Sequence, residues 1–211
     1  MIAIQNQEES DLFGREYLST AGQLQRAPLI SVLMPVRDAR NTLPAALDSV
    51  VSQTLSRWEL VIIDDGSTDG SAELAERYAR DDHRIRVARR GARGIVPSLN
   101  EGVRLCRASL IARMDADDVS EPERLALQLR FAERNPSVGV ISCLVEGFGD
   151  SPLTEGMQHY LRWLNSLLTS PDIAREIYVE SPVAHPSVVF RREVFDLVGG
   201  YRAGDFPVTE R

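Results

Sequence analysis

The chain has 211 residues, of which 43% are apolar and 26% charged, the composition of a globular protein with one large domain or one domain and a small appendage. A formal net charge of -7 argues against sequence-independent nucleic-acid binding, which needs a surplus of Lys and Arg facing phosphates. No apolar run reaches the roughly 18 residues that a membrane-spanning helix needs, and the N-terminus lacks the pattern of a signal peptide.

Residues 1–27 are polar and weakly patterned, a tail or a short leading helix around Asp11 to Leu24. A repeating pattern begins at Pro28. Leu29 to Met34 is a short apolar run between prolines, the sign of a buried strand. Asn41 is placed to cap a helix with Leu43, Leu47, Val50 and Val51 on one face and Pro44 in its first turn. Trp58 to Ile63 is a second buried strand ending at Asp64-Asp65-Gly66-Ser67, followed by a helix through Leu74, Ala75 and Tyr78 that Ser67 or Thr68 can cap. Ile85 to Val87 is a brief third strand, and Pro97 opens a helix carrying Leu99 and Val103. Leu110 to Met114 is the fourth strand and ends in Asp115-Ala116-Asp117-Asp118. Ser120 and Glu123 have capping-box spacing for a helix to about Arg134, and Val138 to Val145 reads as a fifth strand. Beyond Gly147 the alternation weakens, with helices over Met157 to Leu168 and Pro171 to Tyr178 and a strand at Ser187 to Phe190. Cys106 and Cys143 each sit on an apolar segment without metal-site spacing, and read as two reduced core thiols in a cytoplasmic protein.

Strands alternating with helices at this spacing predict an α/β fold with a mostly parallel sheet flanked by helices. In such sheets ligands sit beyond the carboxyl ends of the strands. Both acidic clusters fall there. Crowded carboxylates repel one another unless a cation or water offsets the charge. Hard divalent ions such as Mg²⁺ and Mn²⁺ take one or two carboxylates and complete their shell with water and phosphate oxygens. Asp115, Asp117 and Asp118 therefore suit a metal bridging to a diphosphate; the plainer reading is that Asp117 or Asp118 caps the next helix. Asp64 and Asp65 can accept from a nucleobase or a ribose, or serve the turn alone. A dinucleotide-binding site would need G-x-G-x-x-G after the first strand, where Pro35 to Arg40 has no glycine. The same lack counts against a nucleotidyltransferase. A haloacid-dehalogenase-like phosphatase would carry its paired aspartates after the first strand, not the fourth.

Taken in order, Ser31 to Leu43, Ala46 to Leu55, Trp58 to Asp69, Gly94 to Gly102, Ala112 to Leu125, His185 to Arg191 and Gly199 to Arg202 closely resemble the family 2 glycosyltransferases of the GT-A fold. The resemblance implies a Rossmann-like sheet and metal-assisted transfer of a sugar, with inversion, from a nucleotide sugar to a saccharide or lipid-linked acceptor. UDP-sugar is the expected donor, Mn²⁺ or Mg²⁺ the cofactor. Pro35, Val36 and Arg37 match the loop that lines the nucleobase, Arg37 standing where many members carry an aromatic. Asp65 matches the acid that pairs with the base, with Asp64 beside it, and Arg93 and Gly94 lie on the segment near the base and phosphates. Asp115, Ala116, Asp117 and Asp118 match the DxD region, Asp117 foremost for the metal and Asp115 for the ribose or sugar as well as the metal.

The sequence departs from the family where its general base is expected. A Glu-Asp pair normally follows the Gly-Gly-Tyr segment; here Glu210 is present and Arg211 takes the place of the aspartate, which leaves Glu210 as a fallback base. On this reading residues 28–146 bind the donor, and 147–211 are an acceptor-side segment truncated at its C-terminus. A module that binds nucleotide sugar without turnover is the alternative. His185 either approaches the diphosphate or acceptor or is structural, His83 and His159 read as surface residues, and Trp163 with Leu161, Leu164 and Leu168 forms core or a lid. Peripheral contact with the inner face of the membrane stays open.

Overall fold

A computed structural model of the chain describes residues 27–149 and 151–202. The leading helix expected at Asp11 to Leu24 and the base candidate Glu210 lie outside the described residues.

The chain folds as an α/β sheet with helices on both faces. Strands β1 (Ile30–Val36), β2 (Trp58–Asp65), β3 (Ile85–Arg90) and β4 (Leu110–Arg113) alternate with helices α1 (Leu43–Val51), α2 (Ser71–Asp81) and α3 (Ile95–Leu105). After α4 (Arg124–Arg134) come β5 (Val140–Ile141), α5 (Glu155–Leu164), α6 (Ser170–Glu176), a 3₁₀ turn at His185–Ser187, β6 (Val189–Arg191) and α7 (Arg192–Val198). The sheet order is β3-β2-β1-β4-β6-β5. The first four strands are parallel, and β6 lies antiparallel between β4 and β5.

The apolar runs of β1, β2 and β4 are buried throughout because helices cover both faces of the sheet. Alternation along β1 divides the core. Ile30, Val32, Met34 and Val36 face the layer that includes Leu43, Leu47, Leu74 and Leu125 of α1, α2 and α4. Leu33 faces the other, against Leu99 and Val103 of α3 and Phe190 of β6. Gly102 lets α3 lie flat on that face: a Cβ there would come within 2.1 Å of Leu33 Cδ1. Among the described residues no helix is long and apolar enough to cross a membrane.

Several local expectations are corrected. Asn41 does not cap α1; Thr42 holds that position without a side-chain bond, and Val51 is exposed rather than on the buried face. Gly70, not Ser67 or Thr68, precedes α2, and its φ of 92° suits a residue without Cβ. Pro97 is the third residue of α3, not its opening. The Ser120–Glu123 capping box does not form, because buried Ser120 is held from α1, its N–H donating to Ser49 Oγ at 3.0 Å. Gln53 Oε1 caps α4 instead, accepting from the N–H of Leu125 at 3.0 Å. Of the fifth strand expected over Val138 to Val145 only Val140–Ile141 pairs, since its partner β6 is three residues long. Cys106 is a core thiol, which burial pushes up to about 12, whereas Cys143 is exposed and not core.

Candidate functional site

Because β1, β2 and β4 run parallel, their last residues emerge on one edge, and the chain's direction across the sheet reverses beside β1, with β2 and β3 added on one side of it and β4 on the other. Such an edge forms a crevice for ligand. Pro35 and Val36 end β1 in the sheet, paired with Ile63 and Asp64, and Val36 is buried. Arg37 projects into solvent with a guanidinium nitrogen 3.8 Å from Asp65 Oδ2.

The turn after Arg37 is welded to the turn after β2. Asp38 adopts a left-handed backbone (φ 48°), its N–H donating to Ser67 Oγ at 3.0 Å and its carboxylate accepting from Thr68 N–H at 2.7 Å. Aspartate tolerates that region better than most residues, and the two bonds hold it there. Asp69 accepts from Arg40 N–H, and Ser71 Oγ from Ala39 N–H, each at 2.9 Å. The Ser and Asp residues of Gly66-Ser-Thr-Asp-Gly-Ser71 thus join two loops, a use that local sequence does not reveal.

Asp64 and Asp65 end β2 buried. Asp65 accepts the N–H groups of Arg93 and Gly94, both at 2.8 Å, so it fixes the segment between β3 and α3. Burial alone would raise its pKa, but those two bonds, with Ser98 and the charge of Arg37, hold its carboxyl below the usual carboxylate range. Asp64 Oδ2 accepts from Ser67 N–H at 3.4 Å, and its buried Oδ1 has no hydrogen-bond partner. Arg93 pairs with Glu101 through its side chain.

Across β1, the end of β4 carries the second cluster. Met114 N–H donates to Leu33 O at 3.1 Å, holding the chain beside β1 as it leaves the sheet. Asp115, Asp117 and Asp118 then bring one carboxylate oxygen each to within 4.8 Å of one another, with Ala116 buried between them. Burial, and then the charges of Asp115 and Asp117, raise the Asp118 carboxyl. Three hard oxygen donors this close together fit Mn²⁺ or Mg²⁺.

His185 joins this cluster. Its pKa is lowered by burial and then by the charge of Arg113, with Asp115 opposing, although part of the residue stays open to solvent. Its Nε2 lies 3.3 Å from the Tyr201 hydroxyl. Asn100 of α3 clamps Tyr201 in turn, donating to its carbonyl at 2.8 Å and accepting from its N–H at 2.9 Å. Sequence reasoning missed Arg113, Asn100 and Tyr201. The signal for Arg113 was available: a cation closing an otherwise apolar four-residue strand.

Glycosyl transferase family 2 matches residues 31–199 of this sequence. The chain belongs to that family. Its sheet and flanking helices are those of the GT-A fold. Among the relatives of this family 2 chain, the bifunctional glycosyltransferase pgtA of Dictyostelium discoideum is 28% identical over 87% of the chain and 29% of its own length. The putative glycosyltransferase EpsE of Bacillus subtilis is 29% identical over 85% of the chain and 62% of its own length. The chain therefore spans under two thirds of either protein. Two solved structures share the fold. The mannosyltransferase PcManGT from Pyrobaculum calidifontis, in complex with GDP-Man and Mn²⁺, superposes with a TM-score of 0.64 at 19% identity, over 89% of this chain and 51% of that one. Residues 1–349 of TarS from S. aureus, in complex with UDP-GlcNAc, give 0.63 at 20% identity, over 81% and 47%.

Proposed function

We propose that this chain binds a UDP-sugar and takes part in metal-assisted transfer of the sugar, with inversion, to a saccharide or lipid-linked acceptor. The observation that carries the reading is the pairing of Asp115, Asp117 and Asp118 at the end of β4 with Asp64 and Asp65 at the end of β2, across β1. The PcManGT and TarS structures contain nucleotide sugars, and the former also Mn²⁺, which supports the same use of this edge.

Pro35, Val36 and Arg37 form one wall of the base site. Asp65 keeps accepting capacity beyond its two backbone bonds, since an ionised carboxylate has about four lone-pair positions, and it receives the base N–H. The same two bonds set Arg93 and Gly94 where they border the phosphates. Asp117 is the foremost metal ligand; Asp115 serves the metal and the ribose or sugar, and Asp118 is in reserve. Mn²⁺ or Mg²⁺ held by these aspartates would supply positive charge against the departing diphosphate. In the displacement the acceptor oxygen bonds to the anomeric carbon as the bond to the diphosphate oxygen breaks, its electron pair leaving with that oxygen. The acceptor proton passes to a carboxylate, for which Glu210 is the candidate that the sequence offers.

His185, whose pKa is lowered by burial and then by Arg113, is assigned to the acceptor side. Next to it in the chain, a cavity of about 220 Å³ lined by Cys143, Leu164, Val183 and Ala184 offers room for part of an acceptor. The two free thiols agree with a cytoplasmic location, and the inner face of the membrane is where a lipid-linked acceptor would be met.

Calorimetric titration of UDP tests the reading, first with Mn²⁺ and then with EDTA. Binding is expected with the metal, and a loss of about a hundredfold is expected with EDTA or in Asp117→Ala, in line with removal of one ligand from a small carboxylate site. Folded protein that binds no UDP in either condition would sink the proposal.

A further inference from the structure

Arg113 has no part in the assignment above, yet it is 3% exposed and stands against the aspartate cluster. Its backbone is fixed from two sides. Its N–H donates to Val188 O at 2.9 Å, and its carbonyl accepts from Arg124 Nη2 at 3.0 Å. The side chain forms an ion pair with Asp115 through Nη1, while Nε is buried with no hydrogen-bond partner. A guanidinium is always charged and carries five donors, and unmet donors away from water are costly. Such a group persists at a strand end where it has a second set of oxygens to meet.

Asp115 cannot fully serve Arg113 and a divalent ion at once. Two cations near one carboxylate repel each other, and they do so more strongly in a partly enclosed crevice than in water. Were an ion held by Asp115 and Asp117, diphosphate oxygens would be the natural completion of its shell, close to the carboxylate that the guanidinium already touches. Arginine suits them, because its planar fork takes two phosphate oxygens together. The charge of Arg113 already reaches past the aspartates, acting on His185 and on Tyr201.

Resting on the donor-site reading above, we infer that Arg113 is the resident counter-cation of the aspartate cluster. It holds Asp115 while no divalent ion is bound, competes with the ion for that carboxylate, and turns onto the donor's diphosphate when the ion arrives. Arg113 is thus a binding residue with two alternating partners.

The two roles give effects of opposite sign, which no merely structural plug would produce. Calorimetry of Mn²⁺ alone, then of UDP at saturating Mn²⁺, is run on the unaltered chain and on Arg113→Gln. Removing the competitor is expected to tighten Mn²⁺ binding about fivefold, and removing a phosphate partner to weaken UDP binding about tenfold. Arg113→Lys keeps the charge but not the fork; it is expected to leave Mn²⁺ affinity near that of the unaltered chain and to recover part of the UDP binding. Should Arg113→Gln fail to fold by circular dichroism, Arg113→Lys carries the test alone, with UDP binding weakened about threefold and Mn²⁺ affinity not weakened. Failure of the unaltered chain to bind Mn²⁺ and UDP would remove the donor-site reading itself. If that chain binds both, an Arg113→Gln variant with unchanged or weaker Mn²⁺ affinity, or with undiminished UDP binding, overturns the inference.

Discussion

Between Ile30 and Arg134 the strands pair parallel with one another, and β1, β2 and β4 are buried along their whole length; from Val140 onward the strands have two or three residues and large apolar side chains face solvent. Leu33 is fully buried, whereas Tyr178 is 97% and Leu197 86% exposed. The first region anchors its loops through long-range bonds: Asp38 to Thr68, Asp65 to Arg93 and Gly94, Gln53 to Leu125. The second combines local caps, such as Thr169 with Asp172, with bonds back to the first, such as Tyr201 to Asn100 and Arg192 to Val103. On the function proposed above, a well-anchored first region suits a donor whose diphosphate needs fixed geometry.

That contrast can be broken by stability measurements. Leu33→Ala should cost about 2–5 kcal/mol in urea unfolding, the range for emptying a tightly packed apolar site. Asp65→Asn should come next, at about 1–2 kcal/mol, because one of two backbone N–H groups loses a charged acceptor. It should also change the response to acid. The folded pKa of Asp65 lies below the unfolded value of 3.8, so its contribution is present above pH 3.8 and fades as the pH falls towards the folded value. Asp65→Asn should therefore flatten the stability–pH curve below about pH 4 and leave its slope at pH 6–8 unchanged. Gln53→Ala removes the cap on α4 and should cost about 1 kcal/mol. Leu197→Ala should lie within about 0.5 kcal/mol of the unaltered chain, and a larger loss there would erase the distinction between the regions.

The same division governs what could be read from sequence. β1, β2 and β4 were legible because a run buried on both faces is almost wholly apolar, Ser31 and Glu59 being buried exceptions that bond each other, and the aspartates that follow stand where such strands end. Caps were not. Ser120 and Glu123 have the right spacing, but Ser120 is claimed by Ser49 and Gln53 from a helix some 70 residues earlier, which no local window contains. The fifth strand failed for a related reason, since its length is limited by β6, a partner almost 50 residues later. At the site, Asp115 to Asp118 were legible as a cluster of charge, while Arg113, the cation that closes the strand before them, was a signal present in the sequence but passed over.

The antiparallel β6, held between β4 and β5, means that residues 142–188 leave the sheet and return to it at neighbouring positions. Such an excursion is closed at both ends. Lengthening it adds only about 0.6 kcal/mol of closure entropy for each doubling, whereas an insertion inside β1 or β2 would shift every side chain to the wrong face. Evolution can therefore rewrite this stretch, in length as well as composition, at little thermodynamic penalty. Libraries of sequence variants are best diversified there, with the parallel strands left untouched.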